Sequence, residues 1–149
     1  MRTLVIDTGQ SIVGVYSVEE QRYIGYRGSR ISEAIERVRN ADEVVTYNGT
    51  NRDLRDLGRF AGIDGDLPLT GWHIDMQRMI WHPIVGSSLV RTYKMHFDSC
   101  PEFPFGRRDI RDCDDYEADN QRDVYMTFKL WECWKENRLN LVGNNYTYH

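Results

Sequence analysis

Three aspartates occupy positions in the sequence where a strand or a turn gives way to a helix. Asp7 ends the apolar run Leu4-Val5-Ile6, and Asp53 follows an Asn-Gly turn that closes a β-branched run. Asp123 lies at the start of an amphipathic stretch near the C-terminus. Side chains at such element ends collect at one edge of an open α/β sheet, beside helix N-termini. The pattern predicts that the three carboxylates share a metal site.

Carboxylate oxygens are the ligands that Mg²⁺ and Mn²⁺ prefer, and these ions take their remaining ligands from water and substrate phosphate. Two such ions about 4 Å apart activate a water molecule and stabilise the leaving oxygen in phosphodiester hydrolysis. The set Asp7, Asp53 and Asp123 fits the demands of such a site, with Mg²⁺ or Mn²⁺ as the expected cofactor. An ordinary turn with Asp53 as a helix cap is the alternative for that part of the sequence.

Length and composition predict one α/β domain. The 149 residues suit a single domain, here residues 1–143, followed by a polar tail at 144–149. A net charge of −4 argues against a protein that coats nucleic acid by bulk electrostatics, although it leaves room for metal-dependent enzymes. The sequence contains no run long enough for a membrane span and no signal peptide, so we expect a cytoplasmic protein that does not bind membranes.

The three cysteines do not form a recognisable framework. Cys100, Cys113 and Cys133 are odd in number and lack CxxC spacing, which favours reduced thiols. A zinc site that combines Cys100 and Cys113 with His96 is the alternative.

Hydrophobic periodicity predicts the order of the elements in the first half. Strands over residues 3–7, 12–18 and 21–26 form an antiparallel meander, followed by a helix with Ile31, Ala34, Ile35 and Val38 on its apolar side. Ser29 or Ser32 is its expected cap. A fourth strand over 43–47 is expected to run parallel to a neighbour, since a helix precedes it. The next helix carries an apolar stripe formed by Leu54, Leu57, Phe60 and Ala61.

The second half is less regular. A short strand over 72–76 leads into a helix over 77–81, and a brief helix over 86–93 has Ser87 or Ser88 as its expected cap. Prolines, glycine and many charges predict an irregular surface loop over 98–115. Helical spacing then returns from Tyr116, and the stripe of the final core helix comprises Val124, Thr127, Phe128, Trp131 and Trp134.

This order of elements resembles the ribonuclease H-like fold, with a mixed five-stranded sheet of meander and parallel strands flanked by helices. Residues 45–54 closely resemble the second motif of the DEDD (DnaQ-like) 3'–5' exonucleases, in which an Asn-Gly turn precedes a metal-binding Asp. Residues 120–124 are similar to the start of their third motif, and 73–77 to the segment between the two. The resemblance covers nearly the whole chain and implies hydrolysis of single-stranded DNA or RNA ends.

The resemblance assigns roles to individual residues. It implies that Asp7, Asp53 and Asp123 are the catalytic metal ligands. Helical spacing, not the resemblance, adds Asp119 as a further metal-binding carboxylate, one helical turn from Asp123. The resemblance also implies a substrate-binding set comprising Thr8, Gly9, Asn48, Gly49, Asn51 and Asn120.

Two departures from the family pattern leave other functions open. The first motif reads Asp7-Thr8-Gly9 and lacks the family's Glu, and Asp119 and Ala118 stand where the family has Tyr or His. These losses motivate a catalytically degenerate domain that binds nucleic acid or a protein partner. Asp7-Thr8-Gly9 is also similar to the resolvase-like branch of the superfamily, which implies branched substrates. A third alternative is an unrelated α/β domain whose aspartates are caps and turn residues.

Overall fold

The computed structural model describes residues 1–80, 88–106 and 115–139. Its centre is a five-stranded mixed sheet in the order β3-β2-β1-β4-β5. The antiparallel part comprises β1 (Thr3–Gly9), β2 (Ile12–Ser17) and β3 (Arg22–Arg27). β4 (Glu43–Thr46) and β5 (Trp72–Asp75) continue the sheet in parallel with β1. The predicted meander and the parallel fourth strand are therefore confirmed, and so is the α/β class.

Helices cover both faces of this sheet. α1 (Ile31–Asn40) and α2 (Asp53–Phe60) lie on one face, and α5 (Asp115–Lys135) crosses the other, close to β1 and β2. Two short helices, α3 (Met76–Ile80) and α4 (Leu89–Lys94), pack on the α5 side. The five helices and five strands of the described residues thus form a three-layer α/β/α arrangement.

Alternation along β1 supplies both apolar cores. Leu4 and Ile6 point toward α1 and α2, whereas Val5 points toward α5 and joins a second cluster of buried residues. Because successive strand residues face opposite sides, the next two residues, Asp7 and Thr8, also diverge. Each core thereby ends in a polar side chain at the same edge of the sheet.

Several predicted boundaries need correction. The cap of α1 is Arg30, with no side-chain hydrogen bond, because a 3₁₀ turn over Gly28–Arg30 leads directly into the helix. Ser32 instead donates to the Ser29 carbonyl, so the predicted serine cap is wrong. Ser88 does cap α4 by accepting from the Arg91 amide, as expected.

The final helix begins within one residue of the predicted Tyr116, but the predicted place of Asp123 in it is wrong. It begins at Asp115, so Asp123 lies inside α5 rather than at its start. Residues 98–106 are irregular as predicted, but Phe105 does not sit in solvent: its ring stacks on Tyr16 and Tyr23, 4.7 and 5.2 Å between centroids. Aromatic packing against the sheet explains why this charged, proline-containing segment is held close to α5.

Some predictions fall outside the described residues. They are the ends of the helices predicted over 77–81 and 86–93, the later part of the 98–115 loop with Cys113, and the tail at 144–149. Across the part of the chain that the structure covers, every helix is too short or too polar to pass through a bilayer.

Candidate active site

The carboxyl end of β1 delivers neighbouring side chains to opposite faces of the sheet. Asp7 lies on the α5 face and is 6% exposed, and Thr8 lies on the α2 face and is 3% exposed. Thr8 is bound to the start of α2, since its amide and its hydroxyl donate to Asp53 Oδ1 at 3.2 and 2.7 Å. The same hydroxyl lies 2.8 Å from Asp56 Oδ2. The end of β1 thereby fixes the N-terminus of α2.

Asp53 is the first residue of α2 rather than its cap. The cap position belongs to Arg52, and the Asp53 side chain is fully buried. Its Oδ1 accepts from Thr8, whereas its Oδ2 has no hydrogen-bond partner among the described residues. A buried carboxylate oxygen without a partner is costly, because it has lost water and gained nothing in return. A buried, unpartnered carboxylate oxygen has the chemistry of a ligand for a hard cation.

Asn120 joins α5 to the same edge of the sheet. Its Nδ2 donates to the Asp7 carbonyl at 3.0 Å and lies 3.4 Å from Asp7 Oδ2, while its Oδ1 accepts from the Tyr23 hydroxyl at 2.6 Å. Only Gly14 fits beneath it, since a Cβ there would come 1.7 Å from Asn120 Oδ1. Asn120 is 2% exposed, and both ends of its amide are engaged within the protein. It clamps Asp7 and so positions a predicted ligand.

The turn over residues 48–50 is held by a carboxylate from the neighbouring strand. Asp75, at the end of β5, accepts from the amides of Asn48 and Thr50 at 2.7 and 3.1 Å. Asn48 has a φ of +65°, which asparagine tolerates better than most residues. Gly49 packs against Thr46, where a Cβ would come 2.2 Å from the Thr46 hydroxyl. This turn sets the position of the α2 N-terminus.

Arg52 lies between the two buried aspartates. Its Nη2 donates to Asp7 Oδ1 at 2.5 Å, and its Nε donates to Asp53 Oδ1 at 3.3 Å. The arginine side chain is half exposed, whereas the side chains of Asp7 and Asp53 are 9% and 0% exposed. One guanidinium thus bridges a carboxylate on β1 and a carboxylate on α2.

The charges of the three predicted aspartates act on one another. Burial raises the pKa of Asp7 well above its ordinary value, and the negative charges of Asp53 and Asp123 raise it further. Burial also raises the pKa of Asp53, against the opposing effects of Arg52 and Thr8. The pKa of Asp123 rises to about 6, mainly through burial, with Asp119 adding to the shift. The three carboxylates therefore share one electrostatic environment that favours an added positive charge.

The structure brings some predicted site residues together and leaves others apart. Hydrogen bonds link Thr8 to Asp53 and Asn120 to Asp7, and Arg52 joins the two pairs. Asp123 is half-buried within α5, and its charge raises the pKa of Asp7. Gly9 and Asn51 are exposed, and Asn51 donates to the Asn48 side chain. Asp119 is mostly exposed and pairs with Arg122.

The carboxylates do not form a ready-made metal site. Within residues 1–80, 88–106 and 115–139, no three His, Cys, Asp or Glu side chains are grouped so that they could hold one ion. In the structure the guanidinium of Arg52 supplies the positive charge between Asp7 and Asp53. The donor chemistry suits a hard divalent cation, but the ligands are arranged around an arginine.

Sequence reasoning assigned no role to Arg52, and it used Asp75 only as part of a similar segment. A cation directly before a predicted metal ligand is a signal that could have identified Arg52. Asp75 follows the predicted fifth strand just as Asp7 follows the first, so the same positional rule applies to it.

No protein-family model matches this chain, and no curated protein matches its sequence. Function is therefore inferred from the chemistry at this edge of the sheet.

Proposed function

We propose that this chain is a ribonuclease H-like domain acting as a metal-dependent nuclease of the 3'–5' exonuclease-like type. The fold assignment is supported by the strand order, with an antiparallel β3-β2-β1 meander continued by parallel β4 and β5, and by the late helix α5 packed on β1 and β2. The expected substrate is the end of single-stranded DNA or RNA.

One observation carries the proposal: two aspartates far apart in sequence, Asp7 and Asp53, are buried at the same edge of the sheet, where both contact Arg52. Asp7 and Asp53 are buried, and the charges of Asp53 and Asp123 act on Asp7 to raise its pKa. Burying carboxylates near one another is unfavourable unless a cation offsets their charge.

Asp7, Asp53 and Asp123 would hold Mg²⁺ or Mn²⁺, and the unpartnered Asp53 Oδ2 is a ligand atom that fits this role. When bound, the ion would supply an activated water and neutralise charge on the phosphodiester. The chain's own residues do the positioning. Thr8 orients the Asp53 carboxylate, and Asn120 fixes Asp7 against β2.

A cleavage assay tests the proposal. The full chain is incubated with 5'-labelled single-stranded DNA and RNA in Mn²⁺ or in EDTA, and the products are resolved by length. We expect stepwise shortening from the 3' end with Mn²⁺, no products in EDTA, and loss of cleavage in Asp53→Asn. Asp64→Asn is the matched control, since Asp64 is an exposed carboxylate in the loop after α2. Absence of cleavage by folded, Mn²⁺-loaded protein would contradict the proposal.

A second candidate function is a degenerate domain that binds nucleic acid or a protein partner without cleaving. The contacts of Arg52 with Asp7 and Asp53 favour it, because the arginine neutralises the carboxylates without any metal. Gly9 favours it too, since it stands where the family's first motif has a second carboxylate. This candidate predicts that Mn²⁺ binding is undetectable by calorimetry and that partner binding persists in EDTA.

The same assay separates the resolvase-like alternative from the exonuclease-like one. A four-way DNA junction is added as a third substrate beside the two single strands. Cleavage at the branch point, with the single strands intact, would favour the resolvase-like branch of the superfamily.

A further inference from the structure

The side chain of Arg52 is much more exposed to solvent than the two aspartates that it contacts. Its guanidinium reaches inward to Asp7 Oδ1 and Asp53 Oδ1, yet half of the side chain remains exposed. It also forms part of the wall of an open cleft of about 540 Å³, together with residues of the β1–β2 turn and of α2. The guanidinium is thus an interior cation on a side chain with a route to solvent.

The carboxylates need a cation whether or not a metal is present. Asp7 and Asp53 are 6% and 0% exposed, so their charged forms have lost most of their contact with water. Arg52 offsets that loss at both positions by donating to Asp7 Oδ1 and to Asp53 Oδ1. Asp53 Oδ2 remains unpartnered, so the arginine satisfies one oxygen of this carboxylate and leaves the other available.

The backbone of Arg52 is held independently of its side chain. Its amide donates to the Asn48 carbonyl at 3.2 Å, and its carbonyl accepts from the Asp56 amide at 2.9 Å. The side chain can therefore rotate outward into the cleft while the start of α2 stays in place. Outward rotation of the Arg52 side chain breaks its two charge-assisted hydrogen bonds to Asp7 and Asp53. Such hydrogen bonds are stronger than those between neutral groups.

We infer that Arg52 is a resident counter-ion that competes with a divalent cation for Asp7 and Asp53, and so lowers the affinity of the site for metal. The inference rests on the proposed metal-dependent function, and it concerns how that site is regulated. A metal that binds must displace the guanidinium. The free energy needed for that displacement makes the net binding free energy of the metal less favourable. The chain therefore holds the site in a neutralised form until the concentration of divalent cation is high enough.

Calorimetric titration of the full chain with Mn²⁺ tests this inference without measuring activity. Arg52→Gln removes the charge, and Arg52→Lys keeps a charge but loses the planar fork that contacts both carboxylates. Arg55→Gln is the matched control, because Arg55 is an exposed arginine on the same helix. We expect Arg52→Gln to bind Mn²⁺ about tenfold more tightly than wild type, or about 1.4 kcal/mol, with Arg52→Lys between them. Arg55→Gln should match wild type.

Thermal unfolding of the same proteins supplies a second readout. Without metal, Arg52→Gln should unfold at a lower temperature than wild type, because its buried carboxylates have lost their counter-ion. Saturating Mn²⁺ should raise its Tm by more than it raises that of wild type. If Arg52→Gln folds poorly, Arg52→Lys, which retains the charge, can still be compared with wild type in both measurements.

Each outcome bears on a different claim. If wild type and Arg52→Gln bind Mn²⁺ equally tightly, competition is overturned and the metal site stands. If Arg52→Gln binds more weakly, the arginine helps to build the metal site and the inference is again overturned. If no variant binds Mn²⁺ by either readout, the proposed metal-dependent function fails and the competition fails with it.

Discussion

Two residues predicted to bind substrate instead form hydrogen bonds with other residues of the site. The side-chain amide of Asn120 donates to Asp7 and accepts from Tyr23. Thr8 donates to Asp53 through both its backbone amide and its hydroxyl. Both belonged to the predicted substrate-binding set, and in the structure both act as positioning residues. Preorganisation of this kind keeps buried carboxylates within a narrow geometry.

Asp75 should matter for stability as much as any core residue. Its buried carboxylate accepts from the amides of Asn48, Thr50 and Gln77, so Asp75→Asn replaces charge-assisted hydrogen bonds with weaker ones. We expect a loss of about 2 kcal/mol in the free energy of unfolding, measured by urea denaturation. Asp42→Asn is the control, since the exposed Asp42 carboxylate accepts from the Arg2 amide. Equal losses in the two variants would show that the buried hydrogen bonds of Asp75 contribute no more to the free energy of unfolding than the exposed one of Asp42.

At the scale of elements, the site depends on how closely α5 approaches the sheet. Gly14 on β2 pairs with Asp7 on β1, and the missing side chain at Gly14 makes room for Asn120. Gly25, the partner of Gly14 on β3, has Glu117 above it, where an added Cβ would lie 3.0 Å from Oε1. Two adjacent glycines thus form the seat for one side of α5.

Gly14→Ala should force α5 away from the sheet. The new Cβ would overlap the Asn120 side chain, and overpacking of this kind typically costs about 1 to 3 kcal/mol. Chemical denaturation of the single variants and of the double variant Gly14→Ala/Asn120→Ala measures the coupling. We expect the alanine at position 14 to cost much less once Asn120 is truncated. Additive losses would mean that the clash is relieved elsewhere.

The whole molecule combines an overall charge of −4 with a concentrated acidic interior site. The pH dependence of its stability combines contributions of opposite sign from the buried aspartates and from a histidine. Aspartates with raised pKa values bind protons more readily in the folded state, so they add stability as the pH falls from about 6 toward 4. His73, on β5, acts in the other direction because burial lowers its pKa below 6.5, with Asp75 opposing the shift.

His73→Gln should reveal the histidine contribution. Below pH 6.5 the unfolded chain protonates this histidine more readily than the folded protein does, so wild type loses stability there. Relative to wild type, the variant should gain stability steadily from pH 7.5 to pH 5, measured by urea unfolding of the metal-free protein. Glutamine retains a polar partner for the Thr46 hydroxyl, which lies 2.8 Å from His73 Nε2. A constant difference between the two proteins across this range would refute the assignment.

The sequence alone determined the elements and the class of the fold. Continuous and alternating apolar runs identified the strands, helical spacing identified α1, α2 and α5, and the element ends pointed to Asp7 and Asp53. These signals are local, because hydrophobic period and turn chemistry are properties of neighbouring residues. The start of α1 was not identified in this way, because a 3₁₀ turn and not a serine cap leads into that helix.

Only the tertiary structure decided what lies between those aspartates. Arg52 precedes Asp53 in the chain, but its contact with Asp7 spans 45 positions and requires β1, the turn at 48–50 and α2 to meet. The clamp of Asn120 on Asp7 and the support of Asp75 beneath the turn likewise join residues far apart in sequence. Such contacts depend on the relative placement of strands and helices, and no local pattern of residue types encodes that placement.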